Sequence, residues 1–145
     1  MNALVSIRPN DPAVYWNAVE QSTSAADLLQ FFREAITDGA LSHGDVVIMD
    51  NCRTHHQRED DMMRLLNAAG VGLMFLPPYS PFLNPIELHF NTLKGRIRRC
   101  YSTSDQATAL ASLVSAMEDT ASTASNLGYY RKCVRAYEAD SQEGD

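Results

Sequence analysis

The chain has 145 residues, 45% apolar and 21% charged, with 18 acidic against 12 basic side chains and a net charge of −6. That length suits one domain with one core, and the composition is that of a soluble globular protein. The acidic balance argues against nucleic-acid binding by the surface as a whole, and the lack of any long apolar run excludes a membrane span.

The start, MNALVSIRPNDP, has no basic region followed by a long apolar stretch, so no secretory signal is expected. An intracellular protein follows: nuclear if eukaryotic, cytoplasmic if bacterial. Cys52, Cys100 and Cys133 are odd in number and widely spaced. They fit neither a disulfide framework nor a CxxC zinc site, and free thiols are expected.

In chain order, Ala3 to Ile7 is a strand candidate, RPNDP is turn chemistry, and Val14 to Val19 reads as a second strand, giving a hairpin. STSAADLLQFFREAI then supplies a Ser/Thr cap region and apolar residues at helical spacing: Leu28, Phe31, Phe32 and Ala35. Asp38-Gly39 ends that helix. DVVIMD, from Asp45 to Asp50, sets four apolar residues between two aspartates, which predicts a strand buried on both faces.

Arg58 to Ala69 is periodic for a helix, AGVG stops it, and Val71 to Leu76 is a fourth strand. The loop PPYSPFLNP follows, then a helix from Pro85 to Cys100. Ala107 to Met117 predicts another helix, ASTASNLG a small-residue loop, and Tyr129 to Tyr137 a short last helix. Residues 1–137 form the expected domain and 138–145 a disordered acidic tail. Strands alternating with helices predict a mixed α/β sheet.

Two carboxylates stand out by position. Asp50 ends the second-to-last strand, and strand C-terminal ends are where sites collect in open α/β sheets. Glu87 lies in the first turn of the helix after the next strand, with 36 residues between the two. Neighbouring strands would bring both to one edge, where oxygen ligands suit Mg²⁺ or Mn²⁺. Each residue also has a plainer reading: Asp50 as a turn cap, and Glu87 as a carboxylate favoured by the helix dipole.

On the Glu87 helix, Ile86, Phe90, Leu93 and Ile97 make one apolar stripe. Glu87, Asn91, Lys94 and Arg98 share the face one position on. That face fits a metal and a phosphate backbone, or simply solvent. The run KGRIRR adds Arg96 and Arg99 to a basic helix inside an acidic chain. His55-His56 lacks a partner pair at zinc-ligand spacing and reads as polar loop.

VVIMDNCRTHH followed by VGLMFLPPYSPFLNPIELHFNTLKGRIRR resembles the mariner-type DDE transposases and their bacterial insertion-sequence relatives. Asp50-Asn51, His55 and Pro77 to Glu87 match that pattern position by position, with Phe82 where an acidic residue is frequent. Weaker similarity runs from the hairpin to GYYRKC.

The resemblance implies a ribonuclease-H-like fold, a mixed sheet flanked by helices. It also implies three carboxylates holding two Mg²⁺ (or Mn²⁺) ions for DNA strand cleavage and transfer. Asp50 would be the second carboxylate and Glu87 the third. Asn51, His55, Asn84 and Asn91 would orient these ligands or approach DNA, and Lys94, Arg96, Arg98 and Arg99 would contact its backbone.

The family's first carboxylate lies on a central strand upstream of the hairpin. None of Asp11, Glu20, Asp27, Glu34, Asp38 or Asp45 sits on a matching strand. The expectation is therefore a sheet without its first strand, completed by an upstream fragment or a full-length transposase subunit. The alternative is a non-catalytic chain that binds DNA or such a subunit, or a decayed remnant.

Overall fold

The computed structural model describes residues 2–19, 23–100, 106–123 and 126–143. Strands β1 (Asn2–Arg8) and β2 (Asp11–Val19) pair with each other, and β3 (Val46–Met49) pairs with β4 (Gly72–Phe75). Helices are α1 (Ala25–Thr37), α2 (Arg53–His56), α3 (Glu59–Ala68), α4 (Pro85–Cys100), α5 (Gln106–Thr123) and α6 (Asn126–Glu143). The class is mixed α/β, consistent with part of a ribonuclease-H-like domain. Among the described residues no strand joins the two pairs into one sheet.

Two compact units divide the chain: Met1–Leu4 with Tyr15–Pro81, and Val5–Val14 with Phe82–Asp145.

In the first unit, α1 begins at Ser24. Its hydroxyl accepts from the Asp27 amide while the Asp27 carboxylate accepts from the Ser24 amide at 2.8 Å, a reciprocal capping box. These bonds hold the exposed Asp27 carboxyl below its ordinary pKa. The helix buries Leu28, Phe31, Phe32 and Ala35 as its spacing predicts, and Leu29 besides, against Met49, Met62, Leu66 and Val71. Tyr15 packs on Phe31 with ring centroids 5.3 Å apart and donates to Asp38 at 2.8 Å. Burial, then the Asp38 carboxylate, pushes this phenol up to about 12.

β3 and β4 run parallel in the register Val46 to Gly72 through Met49 to Phe75. The expectation that β3 is buried on both faces is corrected here. Val47 and Met49 face the helical core, while Val46 and Ile48 are 56% and 46% exposed. Only one face of this two-stranded sheet is covered by α1 and α3, so the alternate residues reach solvent.

α3 closes in a Schellman turn. Gly70 donates to Asn67 and Val71 to Leu66, with Gly70 at φ 71°. A β-carbon at Gly70 would also run into the His43 imidazole.

In the second unit α4 packs against α5 and α6. The expected stripe Ile86, Phe90, Leu93, Ile97 is rotated. Pro85, His89 and Leu93 are the buried positions, and of the expected four only Leu93 is fully buried. Polarity disguised His89, which is fully buried with both ring nitrogens unpartnered and its ring edge-on to Tyr129.

α5 and α6 extend beyond their predicted limits. The expected loop ASTASNLG is helical through Thr123 and again from Asn126, and residues 138–143, expected as tail, continue α6. A buried tether fixes the start of α6: Asn126 donates its side-chain amide to the Asp11 carbonyl at 2.7 Å. Tyr130 donates to the Ile7 carbonyl at 3.1 Å.

Gly70→Ala is expected to lower unfolding free energy by roughly 1–3 kcal/mol in chemical denaturation, because it meets both a positive φ and a filled space. His89 supplies a pH test. Burial lowers its pKa below the usual 6.5, so the unfolded chain binds the proton more readily. Stability is then full above about 6.5 and falls as pH drops toward the depressed folded value. His89→Leu should flatten that part of a stability–pH curve.

Candidate active site

Asp50 follows the last residue of β3. Leu76 donates its amide to the Met49 carbonyl at 2.8 Å, continuing the parallel ladder past β4. The ladder therefore delivers Asp50 beside the start of the proline loop. A cavity of about 180 Å³ opens there, lined by Asp50, Asn51, Cys52, Leu76, Pro77, Tyr79, Ser80 and Pro81.

The loop after Asp50 turns straight into α2, and the paired residues DN and HH meet at a spacing of i, i+5. His55 Nδ1 lies 2.7 Å from Asp50 Oδ1 and 3.1 Å from the Asp50 carbonyl oxygen. The ring aligns with the carbonyl, which leaves Asp50 Oδ1 buried without a well-aligned hydrogen-bond partner. His56 is held at both nitrogens, by Asn51 Oδ1 at 2.7 Å and Glu59 Oε2 at 2.6 Å, and its ring lies 4.2 Å from that of Phe75. The expectation of loop histidines thus gives way to a one-turn helix whose rings secure the loop.

Sequence reasoning also passed over Cys52. Its sulfur, an Asp50 oxygen and a His55 nitrogen all lie within 4.8 Å of one another. The signal available in the sequence was the short run D-x-C-x-x-H.

In the other unit, Glu87 stands in the first turn of α4. Asn84 precedes the helix, is 8% exposed, and accepts the Ile86 amide at 3.4 Å and the Glu87 amide at 3.1 Å. Pro85 occupies the first helical position, where its missing N–H costs nothing. Glu87 is half-buried, and its carboxylate makes no ion pair or hydrogen bond among the described residues. Asn91, Lys94, Arg98 and Arg99 are exposed along α4. Arg96 instead reaches Asp119 on α5 at 3.4 Å.

The earlier acidic residues have structural partners. Asp27 caps α1, Glu34 accepts from Asn17 and Gln30, Asp38 accepts from Tyr15, and Asp45 accepts from the Ser42 amide. Glu20 lies outside the described residues.

A family model described as DDE superfamily endonuclease matches residues 1–109. The chain belongs to this DDE endonuclease superfamily. No curated protein and no solved structure matches the chain significantly. The matched span contains both pairs of strands, the Asp50 loop, the proline loop and all of α4. DDE endonucleases generally work with divalent metal ions, and the Asp50 carboxylate at the rim of a cavity, with only His55 close by, suits such an ion. No helix among the described residues is long and apolar enough to cross a membrane.

The hydrogen bond between Asn51 and His56 should be measurable as a coupling. In a double-mutant cycle of Asn51→Ala with His56→Phe, which keeps the ring against Phe75, an interaction energy of about 0.5–1.5 kcal/mol is expected from urea unfolding.

Proposed function

We propose that residues 1–137 are part of the catalytic domain of a mariner-type DDE transposase, acting on DNA inside the cell by metal-dependent strand cleavage and transfer. The observation that carries this reading is Asp50. It leaves the C-terminal end of a parallel strand with one carboxylate oxygen buried and without an aligned donor, at the edge of a cavity. Its one near partner is His55 Nδ1 at 2.7 Å, and a carboxylate at a cavity edge is a natural oxygen ligand for a hard cation.

Asp50 and Glu87 would hold Mg²⁺ or Mn²⁺. Such ions supply Lewis acidity and activate the attacking hydroxyl in phosphodiester chemistry. His55 steadies the Asp50 loop through the Asp50 carbonyl, and the Asn51–His56–Glu59 chain braces the same loop from its outer side. Asn84 and Pro85 fix the start of α4 and hence the position of Glu87. Asn91, Lys94, Arg98 and Arg99 present amide and cationic groups suited to the DNA backbone. Arg96 would join them only by leaving Asp119.

The family's remaining carboxylate would come from a further strand, carried by an upstream segment or by a full-length transposase subunit. The apolar face of Val46, Ile48 and Met74 and the two separate strand pairs favour association with such a partner over independent catalysis.

Supercoiled DNA incubated with Mg²⁺ tests this. Nicking is expected when the chain is mixed with an upstream fragment or a full-length transposase. Asp50→Ala and Glu87→Ala should each lower it about a hundredfold or more, the scale of losing several kcal/mol of metal-borne stabilisation. No nicking in any mixture, with co-purification on the full transposase, would instead make the chain a non-catalytic modulator. Separately, Lys94→Ala and Arg98→Ala should each reduce the slope of log affinity against log salt by about one, read by fluorescence anisotropy on duplex DNA.

A further inference from the structure

We propose that Asp50, Cys52 and His55 form a binding site for a borderline-soft divalent cation of the zinc class. Such a cation would compete with the hard ion for Asp50. The three residues bring one oxygen, one sulfur and one nitrogen, all within 4.8 Å of one another. Four-coordinate zinc takes sulfur at about 2.3 Å and nitrogen or oxygen at about 2.0–2.2 Å, which sets its ligand atoms about 3.4–3.6 Å apart. The cluster comes within roughly an ångström of that spacing, a distance the side-chain rotamers of a surface loop can close.

Two further features point to a ligand rather than to a chance grouping. Asp50 Oδ1 is buried without an aligned donor although His55 Nδ1 is 2.7 Å away. A zinc-class cation would replace that contact, the two atoms parting to the spacing of neighbouring ligands. The cavity beside them is lined by Asp50, Asn51 and Cys52 and has room for a water as fourth ligand. Three protein ligands and one open position are the zinc arrangement of reactive rather than purely structural sites.

The sulfur decides the cation class. Mg²⁺ takes oxygen ligands in a near-octahedral shell, whereas a thiolate selects zinc and its neighbours. Binding releases the Cys52 thiol proton to solvent. Asp50 would be common to both ions, so zinc-class occupancy withdraws it from the site proposed above. The inference shares that one residue with the nuclease reading and needs no DNA for its test.

The test is a Co²⁺ titration of the reduced, metal-free chain followed by absorbance. One ion per chain is expected to produce a near-ultraviolet sulfur-to-cobalt charge-transfer band and intense visible bands of four-coordinate cobalt. Zn²⁺ should bleach them and excess Mg²⁺ should not. Cys52→Ser should abolish the charge-transfer band, while Cys100→Ser and Cys133→Ser keep it. Absence of the band in the unmodified chain, or its survival in Cys52→Ser, overturns the proposal.

A second measurement needs no variant. Saturating Zn²⁺ should slow iodoacetamide alkylation of Cys52 on the order of tenfold while exposed Cys100 reacts as before, read by peptide mass spectrometry. Equal rates with and without Zn²⁺ overturn it. A charge-transfer band in a chain that never nicks DNA in any mixture leaves this site standing and removes the nuclease reading. Mg²⁺-dependent nicking without the band does the reverse.

Discussion

Parallel pairing of β3 with β4 is the constraint on which the first unit depends. Two parallel strands cannot be joined by a tight turn, so the chain must cross over between them. Here the crossover is the Asp50 loop, α2 and α3. It supplies Met62 and Leu66 to the core and, at its start, every side chain of the Asp50 cluster. The ladder bonds from Gly72 to Asp45 and from Leu76 to Met49 then fix both ends of the pair. Packing and site geometry are thus set by the same register. A slip of one residue would turn Met49 out of the core and move Asp50 away from the proline loop.

The proline loop extends that rigidity. Pro77, Pro78 and Pro81 limit φ, and each biases the residue before it toward extended backbone. Tyr79, between them, is the only non-glycine with positive φ among the described residues, at 57°, and its side chain is wholly exposed. A bulky residue held there carries local strain. The loop reaches Pro81–Leu83 as a short 3-10 turn before Asn84 and Pro85 start α4. In the first unit Pro77 and Pro81 line the Asp50 cavity, and in the second Asn84 and Pro85 start the Glu87 helix.

Elements with a strong local signal were legible from residue order alone. The Ser24 capping box, the 3.6-residue spacing of α1 and the Asn-Pro start of α4 are written within a few residues of where they act. What was hidden depended on tertiary environment. His89 looks polar and is fully buried, because a neutral imidazole can fill apolar space against Tyr129. The true stripe on α4 is therefore turned from the one that hydropathy suggests. β3 looks buried on both faces, because a run of four apolar residues does not record how many layers cover it. The start of α6 sits in a small-residue stretch with weak helix propensity, and its first residue is held by a bond to Asp11, which lies 115 positions earlier.

The Asp50 cluster shows the same division more sharply. Asp50 and Glu87 could be picked out by strand end and helix start, but not what surrounds each carboxylate. Asp27, Glu34, Asp38 and Asp45 all stabilise caps, turns or the hairpin base, so removing one costs a structural contact. Asp50 differs because its Oδ1 is buried while its nearest donor is aligned elsewhere. That oxygen has His55 Nδ1 at 2.7 Å as its one near partner, and the Asp50 side chain as a whole is 46% exposed. A cation there would give it a further partner. Cys52, two residues away, then governs which cation gains most from it, because sulfur and oxygen ligands discriminate between soft and hard ions even at the same position in the fold.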